Sequence, residues 1–335
     1  MKISSLFFLP PTFNILSLGE RGSGKTVFLV GSYAEFQKTQ ENSPDKPETS
    51  DYQHLWFECQ HHHEKSLLNN ILQYVLKKGV YPPPTLKITD FHFAFKQKKA
   101  DQPNILCFIR WWDMPGEFCN FNNPYYQEMG INSQGCCVFI DANRLVNDPT
   151  YTENLTKITT QLMILVSLVE DGEYPFSLIF TQCDLLPPGE IGQKQVTDKC
   201  QDLITTLDEA NINYQCFYSA ITISREEKDF SLISKDASSV FLWLVTKLYE
   251  DYEQGKLPNL KIASILHCFR CGSHHLQPSQ RLGFLKKFGF WITLRKKYRC
   301  RDCGASKIEF LPFTWLNKFQ SSFRSSKKRK RSRRK

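Results

Sequence analysis

No stretch of this 335-residue sequence approaches the roughly 20 apolar residues that a membrane-spanning helix needs. The most apolar windows, Leu6 to Leu9 and Leu162 to Val169, are far shorter. The first of these is cut by Pro10 and Pro11 and is not followed by a small-residue cleavage site, so the N-terminus reads as mature structure rather than a secretory leader. No internal repeat is present, which excludes a solenoid or propeller. No Ser-His-Asp or Cys-His set is recognisable, which argues against a hydrolase with a nucleophilic triad. The last 12 residues contain no acidic side chain.

Charge is divided unevenly. The net of +9 conceals 21 basic and 32 acidic side chains in residues 1 to 255, 13 and 2 in residues 256 to 323, and 9 and 0 in residues 324 to 335. An acidic body therefore joins a basic end. The 12 cysteines are spread thinly, and four of them form two C-x-x-C pairs near the C-terminus, a pattern of metal binding in a reducing cytoplasm rather than of a secreted disulfide scaffold.

Along the body, short apolar runs alternate with helical periodicity. Phe13 to Leu18 reads as a strand, and Thr26 to Gln40 as a helix with Phe28, Leu29, Tyr33 and Phe36 on one face. Residues 41 to 51 are polar and proline-containing, a surface loop, and Glu64 to Lys78 forms a further helix. Tyr81 to Thr85 (Y-P-P-P-T) must be extended, because each proline bars its predecessor from the helical region. Leu86 to Phe95 and Ile105 to Trp112 read as a hairpin turning at Lys96 to Asn104. Runs at Cys136 to Ile140, Ser177 to Phe180 and Tyr214 to Tyr218 alternate with helices over Thr152 to Val169, Gln195 to Ala210 and Ala237 to Glu253. This order predicts an α/β, three-layer domain around a mostly parallel central sheet.

Between the first strand and first helix stands Gly19-Glu20-Arg21-Gly22-Ser23-Gly24-Lys25-Thr26, a full match to G-x-x-x-x-G-K-[ST] in the required strand–loop–helix context. Its glycines let backbone N–H groups wrap a diphosphate, Lys25 can reach β and γ phosphates, and the Thr26 hydroxyl can ligate Mg²⁺. At the end of the hairpin's second strand is Asp113-Met114-Pro115-Gly116-Glu117, where a carboxylate can hold Mg²⁺ and Gly116 can present its N–H to a γ-phosphate. Two later strands end in Thr181-Gln182-Cys183-Asp184 and Ser219-Ala220, at the edge where ligands bind in such sheets.

The order G-E-R-G-S-G-K-T, D-M-P-G-E, T-Q-C-D, S-A resembles the nucleotide-binding boxes of Ras-like and Era-like GTPases of the TRAFAC class, over about residues 12 to 253. The resemblance implies a P-loop GTPase fold and a cofactor set of Mg²⁺ with GTP or GDP. It implies nucleotide contacts from Gly19 through Thr26 and from Thr181, Gln182, Asp184, Ser219 and Ala220. Asp184 would accept the guanine N1 and N2 hydrogens, and the Ala220 N–H would meet O6. Thr26, Thr85 and Asp113 would hold Mg²⁺, with Thr89 the alternative to Thr85, and Lys25, Thr85, Asp113, Gly116 and Glu117 would serve hydrolysis. Three features depart from the pattern: Gln182 stands where a base-packing lysine is usual, Glu117 where a water-orienting glutamine is frequent, and an insertion of about residues 41 to 84 precedes Thr85. That insertion, with the metal-binding appendage, resembles bacterial double-GTPase or conflict-system GTPases.

Cys268, Cys271, Cys300 and Cys303 form two knuckles, each with a glycine after its second cysteine, a set that closes a tetrahedral Zn²⁺ site and resembles a zinc ribbon. Trp291 to Leu294 and Lys307 to Leu311 are its expected strands, and His274 and His275 read as surface residues. Basic residues interleave with Phe284, Phe288, Phe290, Trp291 and Tyr298, and Lys327 to Lys335 is a polycation. The expected organisation is a GTPase-like domain at 1–255, a zinc ribbon at 256–320 and a disordered polybasic tail at 321–335. Two functions stay open. One is a cytoplasmic, Mg²⁺-dependent GTP hydrolase and switch whose basic end contacts a protein effector, nucleic acid or an anionic membrane; the other is a nucleic-acid-binding zinc protein whose phosphate-loop domain turns over little nucleotide. His61, His62 and His63 read as a solvated helix start, since consecutive residues cannot all face one metal. Trp111 and Trp112 point to opposite faces of their strand. The cysteines from Cys59 to Cys216 read as small buried residues, and Glu226 and Glu227 as a surface loop.

Overall fold

The computed structural model describes residues 10–41, 55–99, 102–169, 173–226, 229–257, 276–278, 295–300 and 306–310. The chain divides into two compact units, Met1–Ile262 and Ala263–Lys335. No helix among the described residues is long and apolar enough to cross a membrane.

In the first unit, β1 (Thr12–Leu18), α1 (Lys25–Glu41), β2 (Leu55–Cys59), α2 (His62–Lys78), β3 (Thr89–Lys99) and β4 (Gln102–Asp113) come first. They are followed by α3 (Pro124–Ile131), β5 (Gly135–Asp141), α4 (Ala142–Asn147), α5 (Tyr151–Val169), β6 (Phe176–Thr181), α6 (Glu190–Lys199), α7 (Gln201–Glu209) and β7 (Tyr214–Tyr218). A two-stranded sheet of β8 (Ala220–Glu226) and β9 (Asp229–Lys235) precedes α8 (Ala237–Glu253). The main sheet has the order β2-β3-β4-β1-β5-β6-β7. Strands β4, β1, β5, β6 and β7 are parallel, and β2 and β3 pair antiparallel at one edge.

Alternation along the strands supplies two cores. From β1, Phe13 and Ile15 enter the core beneath α1, α2 and α8, whereas Leu16 and Leu18 enter the one beneath α3, α5, α6 and α7. Trp111 and Trp112 divide in the same way, and both are buried. The first core is aromatic: the Phe28 ring lies 5.8 Å from that of Phe241 and 5.2 Å from that of Phe139, and the Phe57 ring 4.6 Å from that of Phe93. Each such buried ring is worth on the order of 2–3 kcal/mol of transfer free energy. The expected three-layer α/β body is therefore present.

Four local expectations differ from what is found. The insertion contributes not only a helix but also β2, which extends the sheet by pairing Leu55–Cys59 with Gln97–Phe93 of β3. The expected helix over Gln195 to Ala210 is two helices that meet at Cys200, whose buried side chain sits in the second core. The hairpin strands β3 and β4 run on to Lys99 and from Gln102, well into the expected turn. Glu226, expected with Glu227 in a surface loop, is the last residue of β8 and pairs with Asp229 in the β8–β9 hairpin, whose Ile221 and Leu232 pack into the first core; Glu227 lies outside the described residues.

In the second unit, β10 (Leu276–Pro278), β11 (Arg295–Cys300) and β12 (Ser306–Phe310) form an antiparallel sheet in the order β10-β11-β12. The strand expected at Lys307 to Leu311 corresponds to β12, but its partner is Arg295–Cys300. Trp291 to Leu294, Cys268, Cys271, Cys303, His274, His275 and the tail lie outside the described residues, and Cys300 is the last residue of β11.

Candidate functional site

The C-terminal ends of β1, β4, β6 and β7 open on the same edge of the sheet, and the segments that leave them line a cavity of about 290 Å³. The loop after β1 is held from within. Ser23 Oγ donates to the Glu20 carbonyl at 2.8 Å, and Thr181 Oγ1, at the end of β6, donates to the Ser23 carbonyl at 3.0 Å. Gly22 (φ +82°) and Gly24 (φ +84°) adopt left-handed backbone that other residues rarely tolerate. Lys25, which opens α1 and is buried, donates through Nζ to the carbonyls of Gly19 and Glu20, both at 2.8 Å. An ammonium curled over a loop of converging backbone N–H groups is a ready site for an anion.

Beside it lies a cluster of oxygen donors. Thr26 Oγ1 contacts Thr85 Oγ1 at 2.6 Å and donates to the Asp113 carboxylate, whose oxygens stand 2.9 and 3.0 Å away. Thr85 Oγ1 is 3.3 Å from Asp113 Oδ2. Three hard oxygen ligands from a helix start, a loop and a strand end form the donor set that a small divalent cation selects. Burial raises the Asp113 carboxyl to about 6, although the hydroxyls of Thr26 and Thr85 and the charge of Lys25 pull the other way. A desolvated carboxylate of this kind is stabilised by a cation placed against it. Thr89, the alternative to Thr85, pairs in register with Asp113 at the start of β3 instead.

Gly116 packs directly on the loop after β1: a Cβ there would fall 2.0 Å from the Arg21 nitrogen and 2.3 Å from the Glu20 carbonyl carbon. Glu117 projects to solvent, where its carboxylate accepts from Arg21 Nη1 at 2.9 Å. Its own backbone N–H, then Arg21, holds this carboxyl below the ordinary range. Glu20 is raised, mainly by burial.

At the far end of the cavity, a turn after β6 carries Asp184, whose carboxyl is raised by burial. The turn is tied to the end of β7, where Ser219 N donates to the Phe180 carbonyl at 2.8 Å and the Cys183 N–H reaches the Ser219 carbonyl at 3.4 Å. Ser219 Oγ is buried with no hydrogen-bonding partner among the described residues, so a polar ligand atom there would satisfy it. Ala220 begins β8 next to it and is not part of the lining. Gln182, in left-handed backbone, turns its amide to Asp141, with Nε2 2.7 Å from Oδ2.

Several lining residues have no place among the sequence expectations. Tyr81, Pro82, Pro83 and Pro84 form one wall, fixed by the Tyr81 hydroxyl donating to the Ile221 carbonyl at 2.7 Å. Burial and the nearby Asp184 charge push the Tyr81 phenol up. Asp141 is not itself a lining residue but is the partner of Gln182, and it caps α4 by accepting from the Arg144 N–H. The proline run was a visible signal of a stiff segment, but its destination depends on the β8–β9 hairpin.

No family model matches this sequence, and neither does any curated protein. Solved structures do match, among them the Saccharomyces cerevisiae Ski7 GTPase-like domain bound to GDP and inorganic phosphate. The chain is 13% identical to it with a TM-score of 0.41, over 86% of this chain and 57% of that one. It thus spans little more than half of that chain, and at this distance the likeness carries no functional argument.

Proposed function

We propose that residues 1–255 form a Mg²⁺-dependent GTP-binding domain that hydrolyses GTP and works as a nucleotide switch. The observation that carries the reading is the cluster of Thr26, Thr85 and Asp113 oxygens beside the loop that Lys25 closes, with Gly116 against the same loop. In this reading the backbone N–H groups from Gly19 to Thr26 wrap the phosphates. Lys25 leaves the two carbonyls that it now caps and pairs with β and γ oxygens, and Thr26, Thr85 and Asp113 hold the ion. Bound Mg²⁺ neutralises charge on the phosphate oxygens during transfer. Asp184 accepts the guanine N1 and N2 hydrogens, and Ser219 closes the base end, with Ala220 next to it outside the lining.

Gly116 and Thr85 are the residues that a γ-phosphate would engage, and both sit on segments leaving regular elements, which suits a switch that rearranges on hydrolysis. Glu117 carries a fixed charge close to the loop, so its own part in hydrolysis is to position Arg21 rather than to orient water as a neutral amide would. Cys268, Cys271, Cys300 and Cys303 are proposed to hold Zn²⁺ in a closed, structural tetrahedron. The basic C-terminal region would then contact an anionic partner: a protein effector, a nucleic acid or a membrane surface.

The test is to purify the full chain, identify the nucleotide that comes with it and follow phosphate release with and without Mg²⁺. Guanine nucleotide and Mg²⁺-dependent release, lost in Lys25→Ala, support the reading; adenine nucleotide or Mg²⁺-independent release contradicts it.

A further inference from the structure

Outside the nucleotide cavity, the described residues hold one group of side chains with metal-ligand chemistry in mutual reach: His61, Glu64 and His92, whose ligand atoms all lie within 4.8 Å of one another. The triple-histidine run reads as a solvated helix start, and His62 and His63 are indeed exposed at the start of α2, whereas His61 is half-buried. The fold separates the three rings. His62 turns aside, its Nδ1 3.4 Å from Ser66 Oγ. The His61 ring lies 5.2 Å from that of His92 on β3 and 5.8 Å from that of His63.

Glu64 is the centre of the group. It is a buried carboxylate, 2% exposed, and Oε2 accepts the His92 backbone N–H at 2.7 Å while Oε1 lies 2.8 Å from His92 Nδ1. The same Oε1 is 3.9 Å from His61 Nε2 and 3.9 Å from His63 Nε2. Donors around a tetrahedral Zn²⁺, with bonds of about 2.0–2.1 Å, stand about 3.3 Å apart. Side-chain shifts of up to about 1.5 Å therefore bring the ligand atoms of His61, Glu64 and His92, which lie within 4.8 Å of one another, to coordination distance. Two imidazoles and one carboxylate are donors that a borderline divalent cation prefers.

We propose that His61 Nε2, His92 Nδ1 and Glu64 Oε1 bind a single Zn²⁺-class ion. Glu64 Oε2 stays on the His92 N–H and keeps the carboxylate oriented, the supporting contact that metal ligands usually have. His92 gives the Nδ1 lone pair when its ring proton sits on Nε2. With three protein donors and water in the fourth position, the ion bridges two elements of the fold. It fastens the start of α2 to β3 next to the Gln60–His92 backbone hydrogen bond (2.7 Å) that ends the β2–β3 pairing. The site is independent of the nucleotide reading.

The test compares zinc content after dialysis of the full-length wild type and of a His61→Gln/His92→Gln variant, in which amides replace the ring donors. The wild type is expected to hold one more zinc per chain than the variant, and its melting midpoint to rise with added Zn²⁺ where that of the variant does not. Equal zinc content in the two proteins overturns the proposal. Should the variant fail to fold, diethyl pyrocarbonate labelling of wild-type His61, mapped by mass spectrometry with the exposed His63 as internal reference, decides the matter. At least fivefold protection by Zn²⁺ supports the site, and equal labelling with and without Zn²⁺ overturns it.

Discussion

The hydroxyl of Thr26, at the start of α1, lies 2.6 Å from the hydroxyl of Thr85, which is 59 positions away at the end of the proline run. No secondary-structure ladder joins them. Thr85 is delivered by Tyr81–Pro84, a stretch whose prolines restrict the backbone and whose tyrosine is pinned to Ile221. If Thr85 completes the Mg²⁺ site, Thr85→Ala should raise the Mg²⁺ concentration needed for half-maximal GTP binding at least tenfold, whereas Thr85→Ser should stay within about threefold. A Mg²⁺ titration of GTP binding with each variant reads this.

Asp113 supplies a prediction about pH. Burial raises its carboxyl to about 6 from an ordinary 3.8. The nucleotide-free fold therefore binds this proton more tightly than the unfolded chain does. The charged form opposes folding in full above pH 6, and the penalty fades as pH falls towards 3.8. Asp113→Asn should accordingly stabilise the nucleotide-free protein at pH 7.5 by roughly 1–3 kcal/mol while abolishing Mg²⁺-dependent binding. The gain should shrink at pH 4.5. Denaturant unfolding at the two pH values, without Mg²⁺ or nucleotide, measures it.

Gly116 has no room for a side chain, since a Cβ would overlap the backbone of Arg21 and Glu20. The obstacle is backbone, which cannot swing away as a flexible side chain would. Gly116→Ala is expected to displace the phosphate loop and to weaken GTP binding more than tenfold. Equilibrium binding of a fluorescent GTP analogue checks this.

The Arg21–Glu117 pair lies in solvent and should contribute little to stability. Glu117→Gln keeps a hydrogen-bond acceptor for Arg21 and removes a negative charge next to the loop. We expect an unchanged melting midpoint and a several-fold faster single-turnover release of phosphate from GTP.

Much of this site was legible in the sequence because its pieces are local. Gly19–Thr26 and Asp113–Glu117 are contiguous, and each states its chemistry in residue types. Thr85 was preferred to Thr89 on its place before the second strand of the expected sheet, and the structure separates the two by contact. What was not legible depends on distant pairing. Strand β2 is only Leu55–Cys59 and gains its register from β3, so nothing within five residues fixed it. That pairing also brings His92 to Glu64, 28 positions away, and so places His61 in a buried group that the run of otherwise exposed histidines did not reveal. The break at Cys200 has no glycine or proline to mark it, and buried Val196 and Leu203 continue a helical spacing across it. In contrast, Ile221, Ile223, Phe230 and Leu232 alternate as strand residues do, and the β8–β9 hairpin that anchors Tyr81 was there to be read.

The central claim is that a guanine nucleotide occupies the cavity between Lys25 and Asp184. It is tested most directly by competing GTP and ATP for the full-length protein in Mg²⁺, with wild type and Asp184→Asn side by side. The account predicts at least a hundredfold preference for GTP in the wild type and the loss of most of it in Asp184→Asn, because the carboxylate proposed to accept two base hydrogens becomes an amide. Equal or tighter ATP binding in the wild type, or an unaltered preference in Asp184→Asn, would contradict it.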